Sequence, residues 1–173
     1  SLAAVFFTSC EKRNSGPGDP VEISLTLKQK EVVDSANKFA FDLFIPVITG
    51  AKSQENIMIS PFSVSSALSM TLNGAAGQTF EDMRAALRYD GKTIEEINDA
   101  YLKLISDMIP VDPRVIMEIA NSVWIEKKQT VRPEFTDALK TWYKAEAKSI
   151  DAADPASVDI INGWIEDKTH DRI

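Results

Sequence analysis

Cysteine and histidine are nearly missing from this 173-residue sequence, with one of each. A lone cysteine forms no disulfide within the chain, which excludes the small secreted scaffolds that are held in shape by crosslinks. A lone histidine, His170, excludes a histidine-rich metal site and leaves a Ser-His-Asp nucleophile a single imidazole to draw on. Basic residues are in deficit. Nineteen Lys and Arg against 26 Asp and Glu give a formal net charge of −7, so nucleic acid, whose phosphates need a basic surface, is not an expected partner. Glycine and proline, at 7 and 8, are too few for a collagen-like or low-complexity sequence. The apolar run Leu2–Phe7 is far too short to span a bilayer. What is left is ordinary for a globular protein: 44% of residues are hydrophobic, enough for one domain with a sizeable core.

The first ten residues have a character of their own. Leu2 to Phe7, followed by Thr8, Ser9 and Cys10, resemble the end of a signal h-region running into a lipobox, in which an apolar and two small residues precede a lipidated cysteine. Phe7 stands where leucine is more usual. The other reading is a short buried strand with an inert core cysteine. Residues 11–30 open with a polar, turn-forming stretch, Glu11 to Pro20, and read as a tether. Ser1 is no initiator methionine and Ile173 falls inside what reads as a helix, so both ends look cut. The expectation is an extracytoplasmic protein that meets the membrane only through a lipid on Cys10.

From residue 31 the pattern turns regular. Glu31 to Ile45 reads as a helix that Pro46 should end or kink, since proline supplies no N–H to the ladder. Residues 57–80 carry no charge, yet five serines, Thr71, Asn73 and Pro61 argue against a membrane span. Ser60 fits an N-cap and Pro61 the first helical position. A helix without a charged face belongs inside a protein. Thr79 can cap a third helix running to about Arg88. Ile94, Ile97, Tyr101, Leu104 and Met108, spaced 3, 4, 3 and 4, give a fourth helix a one-sided apolar stripe. Val115 to Glu126 changes to period 2, with apolar residues on both faces, and reads as a strand covered on both sides. Asn121 within it needs a hydrogen-bond partner. Pro133 opens a fifth helix with Phe135, Ala138, Leu139 and Trp142 on one face. Ala145 to Ile150 reads as another strand, and Asp154 with Pro155 starts a last helix carrying Ile161, Trp164 and Ile165. The fold class is α+β, rich in helix, with strands that lack partners inside the sequence.

Several short strings, in this order, resemble the serpin family. They are Asn37-Lys38-Phe39-Ala40-Phe41-Asp42-Leu43, Asn56-Ile57-Met58-Ile59-Ser60-Pro61-Phe62-Ser63-Val64, Leu72-Asn73-Gly74-Ala75-Ala76-Gly77-Gln78-Thr79, Ala120-Asn121-Ser122-Val123-Trp124-Ile125, and Ile161-Asn162-Gly163-Trp164-Ile165 with Thr169 and Ile173. The resemblance covers residues 31–173 and looks like the N-terminal half of a single serpin domain with an incomplete central sheet, sheet A.

The resemblance implies inhibition of serine proteases, and for some members cysteine proteases, by a reactive loop that is cleaved and then inserts as a strand into sheet A. That loop has no counterpart in this sequence, so the target protease is unreadable. No cofactor is implied, and no catalysis. By the same resemblance Ser60 and Ser63 fall in the shutter beneath sheet A, where hydroxyls bond across parting strands. Asn162, Trp164 and Thr169 lie on the helix that crosses the sheet and would have to yield as a strand passes. The plainer roles are an N-cap for Ser60, a small packing residue for Ser63, and an amphipathic cover for the last helix. A non-inhibitory binding lipoprotein of the same fold is the alternative.

Enzymatic readings are thin. Ser35-Ala36-Asn37-Lys38 has S-x-x-K spacing without its companion motifs. Glu81-Asp82 and Glu95-Glu96 are adjacent on helices and point apart. Asp171 does not share a helical face with His170, so His170 with Asp167 reads as a polar helix end.

Overall fold

A computed structural model describes residues 18–51 and 56–173. Cys10, the lipobox reading and residues 11–17 of the tether lie outside the described residues. Six helices and two strands follow one another: α1 (Leu27–Gly50), α2 (Pro61–Leu72), α3 (Gly77–Ala86), α4 (Ile94–Met108), β1 (Ser122–Glu126), α5 (Pro133–Tyr143), β2 (Glu146–Ile150) and α6 (Ala156–Thr169). The architecture is helix-rich α+β.

Local chemistry sets most boundaries, and in several places it moves them from where the sequence pattern puts them. The first helix starts at Leu27, inside the expected tether. Thr26 and Gln29 form a reciprocal capping box: the Gln29 N–H donates to Thr26 Oγ1 (3.2 Å) and the Thr26 N–H to Gln29 Oε1 (2.9 Å). The same helix runs through Pro46 to Gly50, with the Thr49 hydroxyl bonding back to the carbonyls of Ile45 and Pro46. Thr79 is not the cap of α3, because that helix begins at Gly77, whose φ of +57° lets the backbone turn into the helix after Ala76. The expected strand over residues 115–126 is a strand only at Ser122–Glu126, since β2 offers five ladder partners and no more. Its approach, residues 117–121, keeps the period-2 alternation of half-buried and exposed positions without a ladder. The last helix starts at Ala156, after Pro155, and ends at Thr169, so Ile173 lies beyond it and not inside a helix. Other boundaries fall where local chemistry puts them. Ser60 caps α2, Thr93 and Glu96 form a capping box on α4, and Pro133 opens α5.

β1 and β2 pair in parallel, Ser122 opposite Glu146 and Glu126 opposite Ile150, with α5 as the crossover that a parallel pair requires. Behind the sheet, α1 packs on α2 and α4, α4 on α5, and α5 on β2. The core combines Val32, Leu72, Leu87, Ile97, Ile105 and Leu139 with three fully buried tyrosines, Tyr89, Tyr101 and Tyr143. Tyr101 stacks at a tilt against Phe62 (5.8 Å between centroids) and Tyr143 (5.4 Å).

The tyrosines bring hydroxyls into the core, and buried hydroxyls need partners. Tyr89 and Tyr101 share a 2.8 Å bond, and Tyr89 also reaches the Ser69 hydroxyl (3.3 Å). Tyr143 donates to Asn98 Oδ1 at 2.8 Å. Asn98 and Asn73 face each other as a reciprocal amide pair, Nδ2 of each donating to Oδ1 of the other (2.8 and 3.0 Å). Asn73 Nδ2 also donates to the Ser69 carbonyl at 2.9 Å. Burial pushes the phenols of Tyr89 and Tyr143 far above their ordinary range, so both stay neutral. This network ties the end of α2 to α4 and α5.

Candidate functional site

The two faces of α2 differ. Ser65, Ser66, Ser69, Met70 and Leu72 are buried, while Ser63, Val64, Ala67, Leu68 and Thr71 are exposed. The charge-free sequence predicts a helix covered all round, and among the described residues it is covered on one side. The border between the bare and the buried side forms one wall of a groove of about 530 Å³, whose other walls are residues 118–122 and the inner face of α6. Phe62, Ser63 and Ser66 contribute from α2, and Trp164, Lys168 and Thr169 from α6.

Three of the residues singled out in the sequence, Ser63, Trp164 and Thr169, therefore line one groove. Ser60 does not line it but is bonded to Ser63, which does. The Ser60 and Ser63 hydroxyls are 2.7 Å apart, and Ser60 Oγ accepts from the Ser63 N–H at 3.3 Å, so capping and the hydroxyl pair coexist on one atom. Asn162 does not join them and lies exposed on the outer side of α6. The Thr169 hydroxyl donates to the Ile165 carbonyl (2.8 Å) and accepts from the Ile173 N–H (3.3 Å), which fastens the helix end.

Ser66 is the unusual member, and the motifs give no sign of it. Its hydroxyl is buried and has no hydrogen-bond partner among the described residues, an arrangement that costs free energy wherever no water intervenes. The i, i+3, i+4 run of serines at 63, 66, 69 and 65, 69 marks the face in sequence, but not which hydroxyl would be left alone. Asn121 has its partner: its Nδ2 donates to the Tyr143 carbonyl at 2.8 Å, joining the foot of β1 to the end of α5.

An aromatic and ionic clasp holds α6 to the sheet. Trp164 meets Trp124 of β1 edge-on, 6.1 Å between centroids, a geometry worth about 0.5–1.5 kcal/mol beyond area burial. Trp164 Nε1 donates to Glu146 Oε2 on β2 at 3.1 Å. Lys168 and Lys148 bring ammonium groups to the same carboxylate at 3.0 and 3.1 Å. These partners, Lys168 foremost, then Lys148 and Trp164, draw the Glu146 carboxyl down to about 2. At the far end His170 Nε2 stands 2.8 Å from Glu118 Oε2, on the segment leading into β1. The expected polar helix end is thus a cross-element pair, and the backbone leaves the helix there with left-handed φ at His170 (+51°) and Asp171 (+58°).

What the arrangement offers chemically is backbone. β1 is hydrogen-bonded along one edge, to β2, and among the described residues its other edge is open, as is the alternating segment before it. An open edge of this kind is a template for another strand. α6 lies across it on contacts that are largely half-exposed.

Residues 34–173 match the family model Serpin (serine protease inhibitor). Similar proteins include a serpin-like protein of Thermococcus kodakarensis, 34% identical over 154 residues (84% of this chain and 34% of the relative). The leukocyte elastase inhibitor of Sus scrofa is 35% identical over 146 residues (83% and 38%). This chain thus spans roughly a third of the length of these relatives. Among solved structures, the thermophilic serpin tengpin in its latent state superposes with a TM-score of 0.72 at 30% identity, covering 88% of this chain and 40% of tengpin. Human glycosylated kallistatin gives 0.78 at 14% identity (86% and 40%), a likeness of fold alone. The order of helices and strands, the parallel pair under α6 and the match over residues 34–173 place this chain in the serpin family.

Proposed function

We propose that the whole protein is an inhibitor of serine proteases, acting by cleavage of a reactive loop and insertion of that loop into the sheet to which β1 and β2 contribute. The observation that carries this reading is the family match over residues 34–173. Leukocyte elastase inhibitors among the relatives support the protease class. Reactive-loop insertion is a known serpin instance of strand addition. Each inserted residue exchanges solvated backbone groups for ladder bonds of about 0.5–1.5 kcal/mol net, so a long inserted strand releases enough free energy to move a bound protease. In this reading the groove between α2 and α6 is where strands part. Ser60 and Ser63 offer hydroxyls to the parting backbone, and Trp164 and Thr169 belong to the helix that lifts. Anchoring through a lipid on Cys10, outside the cytoplasm, is the second part of the proposal. It is supported by the flanks of that cysteine.

The test is incubation of the protein in its full natural length with a panel of serine proteases, followed by denaturing gels. A covalent complex that survives SDS is the expected result. Clean cleavage without complex by every protease tried refutes inhibition and favours a binding protein of the same fold. Incorporation of labelled fatty acid that Cys10→Ser abolishes is the expected outcome for the anchor, and unlabelled wild-type protein refutes it.

A further inference from the structure

Two Asn-Gly pairs occur in the sequence, Asn73-Gly74 and Asn162-Gly163, and the fold treats them in opposite ways. Asn-Gly is the dipeptide most prone to spontaneous deamidation, because a following glycine leaves its backbone nitrogen sterically free to attack the asparagine amide. At the first pair both reacting groups are occupied. Asn73 Nδ2 and Oδ1 are locked in the amide pair with Asn98, and the Gly74 N–H donates to the Thr71 carbonyl at 2.9 Å. Added bulk at Gly74 would strike the Phe135 ring at 3.0 Å, so this glycine has a packing reason to exist.

The second pair has none of these restraints. Asn162 and Gly163 are both exposed, midway along α6, and the Asn162 amide forms no hydrogen bond among the described residues. A Cβ at Gly163 would meet nothing within 4 Å. Glycine there answers no steric need and weakens the helix interior. The one restraint left is the helix itself, whose ladder ties the Gly163 N–H to the carbonyl four residues back. The helix is also poorly held, with Ser157 its one buried residue and a β-branched run at Val158, Ile160 and Ile161.

We propose that Asn162-Gly163 is a self-modification site gated by the unwinding of α6. When the helix opens, the Gly163 nitrogen attacks Asn162 Cγ. The new N–C bond closes a succinimide, the Cγ–Nδ2 bond breaks and ammonia leaves. Water then opens the ring at either carbonyl, giving aspartate or isoaspartate. The aspartate product stands three residues after Asp159 and four before Glu166 on the same helical face, so like-charge repulsion weakens α6 further. The modification is thus a one-way record of how often this helix has opened, and it does not depend on the inhibitory reading.

The experiment is peptide mapping by mass spectrometry of the full natural-length protein held folded at mildly alkaline pH. Time-dependent conversion at Asn162, as both aspartate and isoaspartate, with Asn73 unchanged, is expected. Gly163→Ala removes the reactive pair and strengthens α6, so conversion stops and hydrogen exchange of the α6 amides slows by about fivefold. Val158→Ala combined with Ile160→Ala keeps the pair, strengthens the helix, and slows conversion several-fold. Three results overturn the proposal: Asn162 intact after prolonged incubation, Asn73 converting as fast, or conversion indifferent to the Val158/Ile160 double change.

Discussion

Replacing Asn98 by alanine removes three hydrogen bonds at once, and the structure says what each loss leaves behind. The Tyr143 hydroxyl loses its acceptor, Asn73 Oδ1 loses its donor, and Asn73 Nδ2 keeps the Ser69 carbonyl. Asn98 is 4% exposed and Tyr143 fully buried, so water does not reach them freely. A buried polar group left without a partner costs about 1–3 kcal/mol. The Tyr143 hydroxyl is such a group, and half-buried Asn73 loses a bond of about 0.5–1.5 kcal/mol besides, which puts the loss at about 1.5–4.5 kcal/mol, a large share of the stability of any single domain. Tyr143→Phe is the matched control. It deletes one bond, and Asn98 Oδ1 still accepts from Asn73, so the cost is that of a satisfied bond, about 0.5–1.5 kcal/mol. The assay is urea unfolding of the full-length protein followed by circular dichroism, compared at the midpoint. If Asn98→Ala costs no more than Tyr143→Phe, the network is not a cooperative unit and the reasoning fails.

Single contacts give three more tests. Ser66→Ala deletes a buried hydroxyl that has no partner among the described residues, so stability rises, by about 1 kcal/mol; a drop in the urea midpoint would show that a partner exists. Gly74→Ala drives a methyl to 3.0 Å from the Phe135 ring and lowers stability by about 1–3 kcal/mol, whereas an unchanged midpoint means the ring moves freely. Glu146 is drawn from 4.5 to about 2 by Lys168, Lys148 and Trp164, so its grip on α6 is whole above pH 4.5 and is lost as pH falls toward about 2. Trp164 emission should shift across that window in the wild type and be flat there in Glu146→Gln; a flat wild-type profile refutes the clasp.

Element identity was legible because it rests on local chemistry. Ser60-Pro61, Pro133 and the 3-4 spacing from Ile94 to Met108 each act within one or two turns. The failures have equally local causes: the Thr26–Gln29 box extended a helix that hydrophobic spacing alone starts later, and a positive-φ glycine began α3 without any hydroxyl or carboxylate to cap it. The strand length was not legible, since a ladder depends on a partner whose extent is set elsewhere in the sequence. The polar core was harder still. Continuing the helical spacing by one turn from Leu139 reaches Tyr143, but nothing in sequence says that Tyr143, Asn98 and Asn73 converge across separations of 45 and 25 residues. The groove shows the same limit. Ser63 entered in one string and Trp164 and Thr169 in another, and the fold alone puts the two strings on one cavity.

That contrast divides the molecule into two mechanical parts. α2, α4 and α5 share buried aromatic rings and a polar network whose bonds fail together, so they should open only with the whole domain. α6 is fastened by an exposed carboxylate, two lysines, one edge-on tryptophan pair and a histidine contact, and surface ion pairs of that kind are individually weak. Its interior glycine lowers the threshold further without any packing need. The proposed loop insertion asks α6 to lift for a strand to pass, and contacts that re-form, rather than burial, suit that proposal. The same looseness exposes Asn162-Gly163 to its own chemistry. The property that suits α6 to movement is therefore the property that gives it a finite chemical lifetime. A helix stabilised by Gly163→Ala should keep its amide and move less readily, and those two effects should scale together across any series of α6 variants.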